Sequence, residues 1–89
     1  MAYMLVKHKV EDYDKWKAGF DAAAEFRKSN GEKSAVVFRN TNNPGELSVL
    51  CEWESLEKAR EFIALPELKE KMKEAGITEE PDIKFLDEA

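Results

Sequence analysis

The chain has one cysteine, Cys51, and one histidine, His8. A single thiol excludes an internal disulfide and suits a reducing compartment, so a cytoplasmic protein is expected. A conventional zinc site would need carboxylates for most of its ligands, and no metal site is expected. No Gly-rich phosphate loop, no Cys or His pair at metal spacing and no nucleophile elbow is present. No apolar run approaches about 18 residues and no charged-then-apolar leader is seen, so neither a membrane span nor secretion is expected. Basic residues are the minority, 14 against 19 acidic ones, for a net charge of -5. That sign opposes a nucleic-acid backbone and an anionic membrane surface, which both reward clustered Lys and Arg. Repeats and low-complexity tracts are absent as well.

What is present is an ordinary globular composition, 43% hydrophobic and 37% charged over 89 residues. One domain spanning residues 1–89 is expected, near the lower size limit for folding without staples. The stretch from Leu47 to Gly76 organises it. An apolar strand ends on Trp53, Ser55 opens a helix, and Pro66 divides that helix from a second amphipathic segment. The inner face of the first helix is Leu56, Ala59, Phe62 and Ile63; that of the second is Leu68, Met72 and Ala75, with Gly76 as its stop. Upstream, Tyr3 to Val10 alternates as a strand, with Met4, Val6, His8 and Val10 on one face. Asp12 caps a helix whose apolar stripe is Tyr13, Trp16, Phe20, Ala23 and Ala24, flanked by Ala18, Ala22 and Phe26. Asn30-Gly31 ends it, with Gly31 free to turn left-handed. Ser34 to Arg39 is a second strand. The loop from Asn40 to Glu46 contains Pro44-Gly45, which predicts a type II turn. Leu47 to Trp53 is the third strand and Ile83 to Leu86 a short fourth.

The order β-α-β-β-α-β predicts an α+β, ferredoxin-like arrangement: a four-stranded antiparallel sheet, central first and third strands, and helices on one face. Adjacent apolar pairs, Leu5 with Val6, Val36 with Val37 and Phe85 with Leu86, point to both faces of the sheet. Leaving such side chains wet forfeits roughly 1.5–3 kcal/mol each, and a patch of several exceeds what a monomer usually shows. A second copy, sheet to sheet about a two-fold axis, is the simplest cover, so a homodimer is expected.

The strand ending in a Trp, the cap Glu52-Trp53-Glu54-Ser55, the helix, and the Leu-Pro-Glu-Leu break ending at Leu68 before KEKMKEAG resemble the antibiotic biosynthesis monooxygenase group of dimeric α/β-barrel proteins. The resemblance implies a dimeric α/β barrel with a pocket in each subunit between sheet and helices. It also implies, among other activities, cofactor-independent oxygenation of quinols and polyketides. The haem-degrading branch resembles a triad of an Asn on the first strand, a Trp in the second helix and a His ten positions later. Those places fall here at His8, Phe62 and Met72, and all three depart from it. The general oxygenase branch often has a His where this chain has Phe62.

Five residues are candidates for a site. His8 titrates near neutrality and is the candidate catalytic base for a quinol or other aromatic hydroxyl. Trp53, Phe62 and Phe20 are candidate substrate-binding walls, and Arg39 a candidate holder of an anionic group. Each has a plainer alternative: core packing for the aromatics, a satisfied strand histidine, a solvent-facing arginine. Arg27, extending the helix stripe, either binds or caps the helix end. Cys51, among apolar neighbours, is expected to be inert, and Glu52 and Glu54 to be surface charges. Two functions stay open. One is a small cofactor-independent oxygenase working on an electron-rich aromatic in a dry pocket. The other is a non-catalytic dimeric binding or stress-related protein using the same fold.

Overall fold

A computed structural model describes residues 2–77 and 80–89. The elements run β1 (Ala2–Lys9), α1 (Tyr13–Ala22), α2 (Ala24–Ser29), β2 (Glu32–Arg39), β3 (Glu46–Trp53), α3 (Leu56–Ile63), α4 (Pro66–Glu74) and β4 (Asp82–Asp87). The four strands form one sheet in the order β2-β3-β1-β4, all neighbours antiparallel. This is the ferredoxin-like α+β topology, with β1 and β3 central as their two-sided apolar content predicts.

The central pair sets the geometry. β1 and β3 pair without slippage from Ala2 opposite Trp53 to Lys9 opposite Glu46. Because side chains alternate, one face carries Met4, Val6, His8, Leu47, Val49, Cys51 and Trp53, all buried. Trp53 and Leu47 are fully enclosed. Burying each such side chain is worth roughly 1.5–3 kcal/mol, so a one-residue slip would turn the core outward.

The helices start where the sequence says they should. The Asp12 carboxylate accepts from the Lys15 amide at 3.2 Å and the Ser55 hydroxyl from the Lys58 amide at 3.1 Å. Pro66 occupies the first turn of α4. Trp16 is the buried residue of α1, Ala59 and Phe62 those of α3, while Ala18, Ala22 and Leu56 stay exposed.

Two local expectations are corrected. The first helix is interrupted at Ala23, which closes α1 and precedes α2. At the break the Phe20 carbonyl accepts from the Arg27 guanidinium, a side-chain bond competing with the backbone ladder. Gly45 does not take a positive φ, so the loop is not a type II turn. Its bends are made by asparagines: Asn40 Oδ1 accepts from the Asn42 amide and Asn43 Oδ1 from the Gly45 amide.

Among the described residues, no helix lies on the opposite sheet face. On it Val36, Leu50 and Leu5 stand in one row across β2, β3 and β1. Val36, Phe38 and Leu86 are 49%, 53% and 40% exposed, an apolar strip open to solvent.

The two left-handed glycines give a test of the chain reversals. Gly31 has φ +111, and a Cβ there would lie 2.8 Å from Lys58 Cδ; Gly76 has φ +83 with nothing within 4 Å. Gly31→Ala is expected to cost about 2 kcal/mol and Gly76→Ala about 1 kcal/mol in urea unfolding. Equal costs would mean that the Lys58 contact contributes nothing.

Candidate functional site

Between the buried sheet face and the helices lies a cavity of about 100 Å³, several water volumes. Its walls are almost entirely apolar, aliphatic side chains with five aromatic rings and His8 among them. Along one side runs a ladder of rings supplied by β1 and α1. His8 lies 5.4 Å from Trp16, and Trp16 stacks on Phe20 at 4.9 Å with planes 21° apart. The guanidinium of Arg27 continues it, 3.6 Å above the Phe20 ring. The opposing side is Trp53 against Phe62 at 4.8 Å, with Phe26 against Phe62 at 5.4 Å. α1 and α4 close together through small residues, since a Cβ on Gly19 would sit 3.6 Å from that of Ala75.

His8 is the inward residue nearest the end of β1, opposite Leu47. It is 8% exposed, and neither ring nitrogen has a hydrogen-bond partner among the described residues. Burial lowers its pKa from the ordinary 6.5, because removing water penalises the charged imidazolium. The ring is therefore neutral at neutral pH, with one nitrogen free to accept. It also borders an outer polar cleft lined by Lys7, Asn40, Glu46 and Asp82, so it stands where the apolar cavity meets a polar surface.

His8, Trp53, Phe62 and Phe20 thus converge on one cavity, as do the three places aligned with the haem-branch triad, His8, Phe62 and Met72. Arg39 does not line it; its guanidinium lies 4.2 Å over the Tyr13 ring, on an exposed strand end. Cys51 is buried, and burial with Glu32 beside it pushes its thiol up to about 12, which removes it as a nucleophile. The register places it opposite Met4, four residues from His8 along β1. That is roughly 13 Å, far beyond hydrogen-bond reach. Among the described residues no group of three or more His, Cys, Asp or Glu could hold a metal ion, and no helix is long and apolar enough to cross a membrane.

One part of the site escaped sequence reasoning. Glu32 is buried and bonded through both oxygens to Arg27 Nε, at 3.0 and 3.1 Å. In the sequence it sits in KSNGEKS, which reads as a polar turn. A register shift between Glu32 and Ser34 turns it inward, opposite Trp53. A bulge of this kind has no composition signal of its own; the long reach of Arg27 along the helix stripe was the available hint.

No family model and no curated protein matches the chain. Solved structures do. A candidate antibiotic biosynthesis monooxygenase of Bordetella bronchiseptica is similar over 99% of this chain and 96% of its own, with a TM-score of 0.81 at 16% identity. SnoaB of Streptomyces nogalater, a cofactor-independent oxygenase, is similar over 99% and 92%, with a TM-score of 0.79 at 13% identity. A conserved protein of Methanosarcina mazei Go1 is similar over 100% and 94%, with a TM-score of 0.76 at 20% identity. Likeness of this breadth at such low identity shows a shared fold, the ferredoxin-like one that the strand order displays.

Proposed function

We propose that the chain is a homodimeric, cofactor-independent oxygenase that binds an electron-rich phenol or quinol in the cavity, with His8 as its base. The observation that supports this reading is the buried imidazole, unpartnered and held neutral, on the wall of an aromatic-lined cavity. A phenolic hydroxyl placed against it gives up its proton to the imidazole. The resulting anion is electron-rich enough to reduce oxygen, which adds at a ring carbon as a hydroperoxide. Loss of the hydrogen on that carbon, with cleavage of the oxygen–oxygen bond, leaves a carbonyl on the ring and one water. All four electrons that reduce the oxygen come from the substrate, and a naphthol is converted in this way to a naphthoquinone. Trp53, Phe62 and Phe20 stack on the substrate and keep water out, which strengthens the polar contacts inside. The fold shared with SnoaB is consistent with this chemistry.

The second copy covers the open sheet face. Four strands about 4.8 Å apart and six residues of about 3.4 Å each make a projected face of roughly 400 Å². With its side chains this approaches the 800 Å² per partner typical of a stable interface. Val36, Phe38 and Leu86 become its core. Phe62, where the general oxygenase branch often has a His, favours a second reading in which the dimer binds an aromatic without turning it over.

Oxygen uptake with naphthol and quinols separates the two. Wild type is expected to turn over, and His8→Ala to lose activity by about 10²–10⁴-fold while light scattering still gives a dimer. Ligand binding without oxygen uptake would select the binding protein, and a monomeric mass at micromolar concentration would remove the dimer.

Stability supplies an independent check. Unfolded, the imidazole titrates near its usual value of about 6.5; folded, it titrates lower. Between the two the unfolded chain binds more protons, so stability is lost as pH falls from the unfolded pKa towards the folded one. With His8 the only histidine, the melting temperature of wild type should fall between about pH 7 and 5.5, and that of His8→Leu should stay level over this window.

A further inference from the structure

Outside the cavity, α4 borders a second hollow. Helical spacing distributes its side chains: Leu68, Met72 and Ala75 share the inner face, and lysines lie on both flanks. Lys71, on one flank, lines the cavity and lies 5.1 Å over the Phe26 ring. Lys69 and Lys73, one turn apart on the other flank, line a groove of about 450 Å³ between α4 and β4. That volume falls within the range of small-molecule sites, roughly 300–1,000 Å³. The apolar wall of the groove is Ile63, Leu68, Met72, Ile77, Pro81 and Ile83, all of them half-buried. It holds all three isoleucines of the chain and, unlike the cavity, no aromatic ring. Groove and cavity share an aliphatic layer, since all of these but Pro81 also border the cavity.

The chemistry of this groove fits an amphiphile. Aliphatic surface without rings suits a straight hydrocarbon chain, which gains with each methylene taken from water. Lys69 and Lys73 repel each other at i, i+4, and neither forms an ion pair among the described residues. Glu80 also borders the groove. Two lysines and one glutamate leave a single positive charge, which one carboxylate balances. The chain as a whole is acidic, with a net charge of -5, so an anion is drawn here by this local pair and not by general attraction.

We propose that the groove between α4 and β4 binds a free straight-chain carboxylate of the fatty-acid type. Its hydrocarbon lies along Ile63, Leu68, Met72 and Ile83, and its head between Lys69 and Lys73. Binding here is independent of the oxygenase reading, because Trp16 and Trp53, which line the cavity, do not border the groove.

Decanoate, decanol and decyltrimethylammonium share a chain and differ in the charge of the head. Each is titrated, below its micelle concentration, into the full chain carrying carbon-13 isoleucine methyls and nitrogen-15 tryptophan. The methyls of Ile63, Ile77 and Ile83 read the groove, and the indole signals of Trp16 and Trp53 read the cavity. Decanoate is expected to move the methyls and leave both indoles in place. It should bind about tenfold more tightly than decanol, the equivalent of two exposed ion pairs. The double variant Lys69→Gln, Lys73→Gln, altered at two exposed positions, should reduce that advantage below about twofold. Equal binding of decanoate and decanol, or tightest binding of decyltrimethylammonium, would overturn the carboxylate assignment. Indole signals that move together with the methyls would place the chain in the cavity and overturn the separate site. Methyls unmoved by every probe would remove the groove as a binding site while leaving the cavity reading untouched.

Discussion

The pairing of β1 with β3 is the constraint on which the other features depend. Eight residues of each strand lie in unbroken register, and every inward side chain from Met4 to His8 and Leu47 to Trp53 is buried. Alternation then leaves no choice about what faces the helices: the only histidine, the only cysteine and one of the two tryptophans come to lie on one apolar surface. The helices meet that surface through large rings, Trp16 near His8 and Phe62 against Trp53. They meet each other, at Gly19 and Ala75, through small side chains. Bulky supports below a close contact above leave a space between them.

Chemistry within that space is divided by position. At one end a neutral imidazole lacks partners and touches a polar cleft. At the other, an ion pair joins Arg27 to Glu32, the register partner of Trp53. Removing one member of such a pair strands a buried charge at a cost of about 3–5 kcal/mol, so the arrangement is self-enforcing. Cys51 lies between the ends but is silenced by burial and the neighbouring carboxylate. The same alternation that fills the inner face also loads the outer one with Val36, Phe38 and Leu86, so cavity and apolar strip are consequences of a single sheet.

Much of this was legible in the residues. Asp12, Ser55 and Pro66 announce helix starts by chemistry that acts within one turn, and Gly31 and Gly76 announce ends because only glycine adopts their φ cheaply. Strand alternation placed His8 with Met4 and Val6, and Trp53 with Cys51 and Val49. What failed to show depends on distant partners. Glu32 is turned inward by a bulge and retained by Arg27, and nothing in KSNGEKS marks it. The break at Ala23 follows from the same arginine reaching back to Phe20. Arg39 shares a strand face with Val37 yet stacks on Tyr13, a neighbour that periodicity cannot supply. Gly45 lost its expected turn to two asparagine side chains that bend the backbone without a positive φ.

The account centres on a neutral, unpartnered imidazole that meets a ligand inside the fold. Because the chain has one histidine, a pH titration of the His8 ring by NMR, alone and with a saturating naphthol, reads that group without ambiguity. The account predicts a midpoint below about 6.5 in the free protein and a clear displacement of the ring signals by the naphthol. A midpoint at or above that value, with ring signals that ignore every phenol tried, would contradict it.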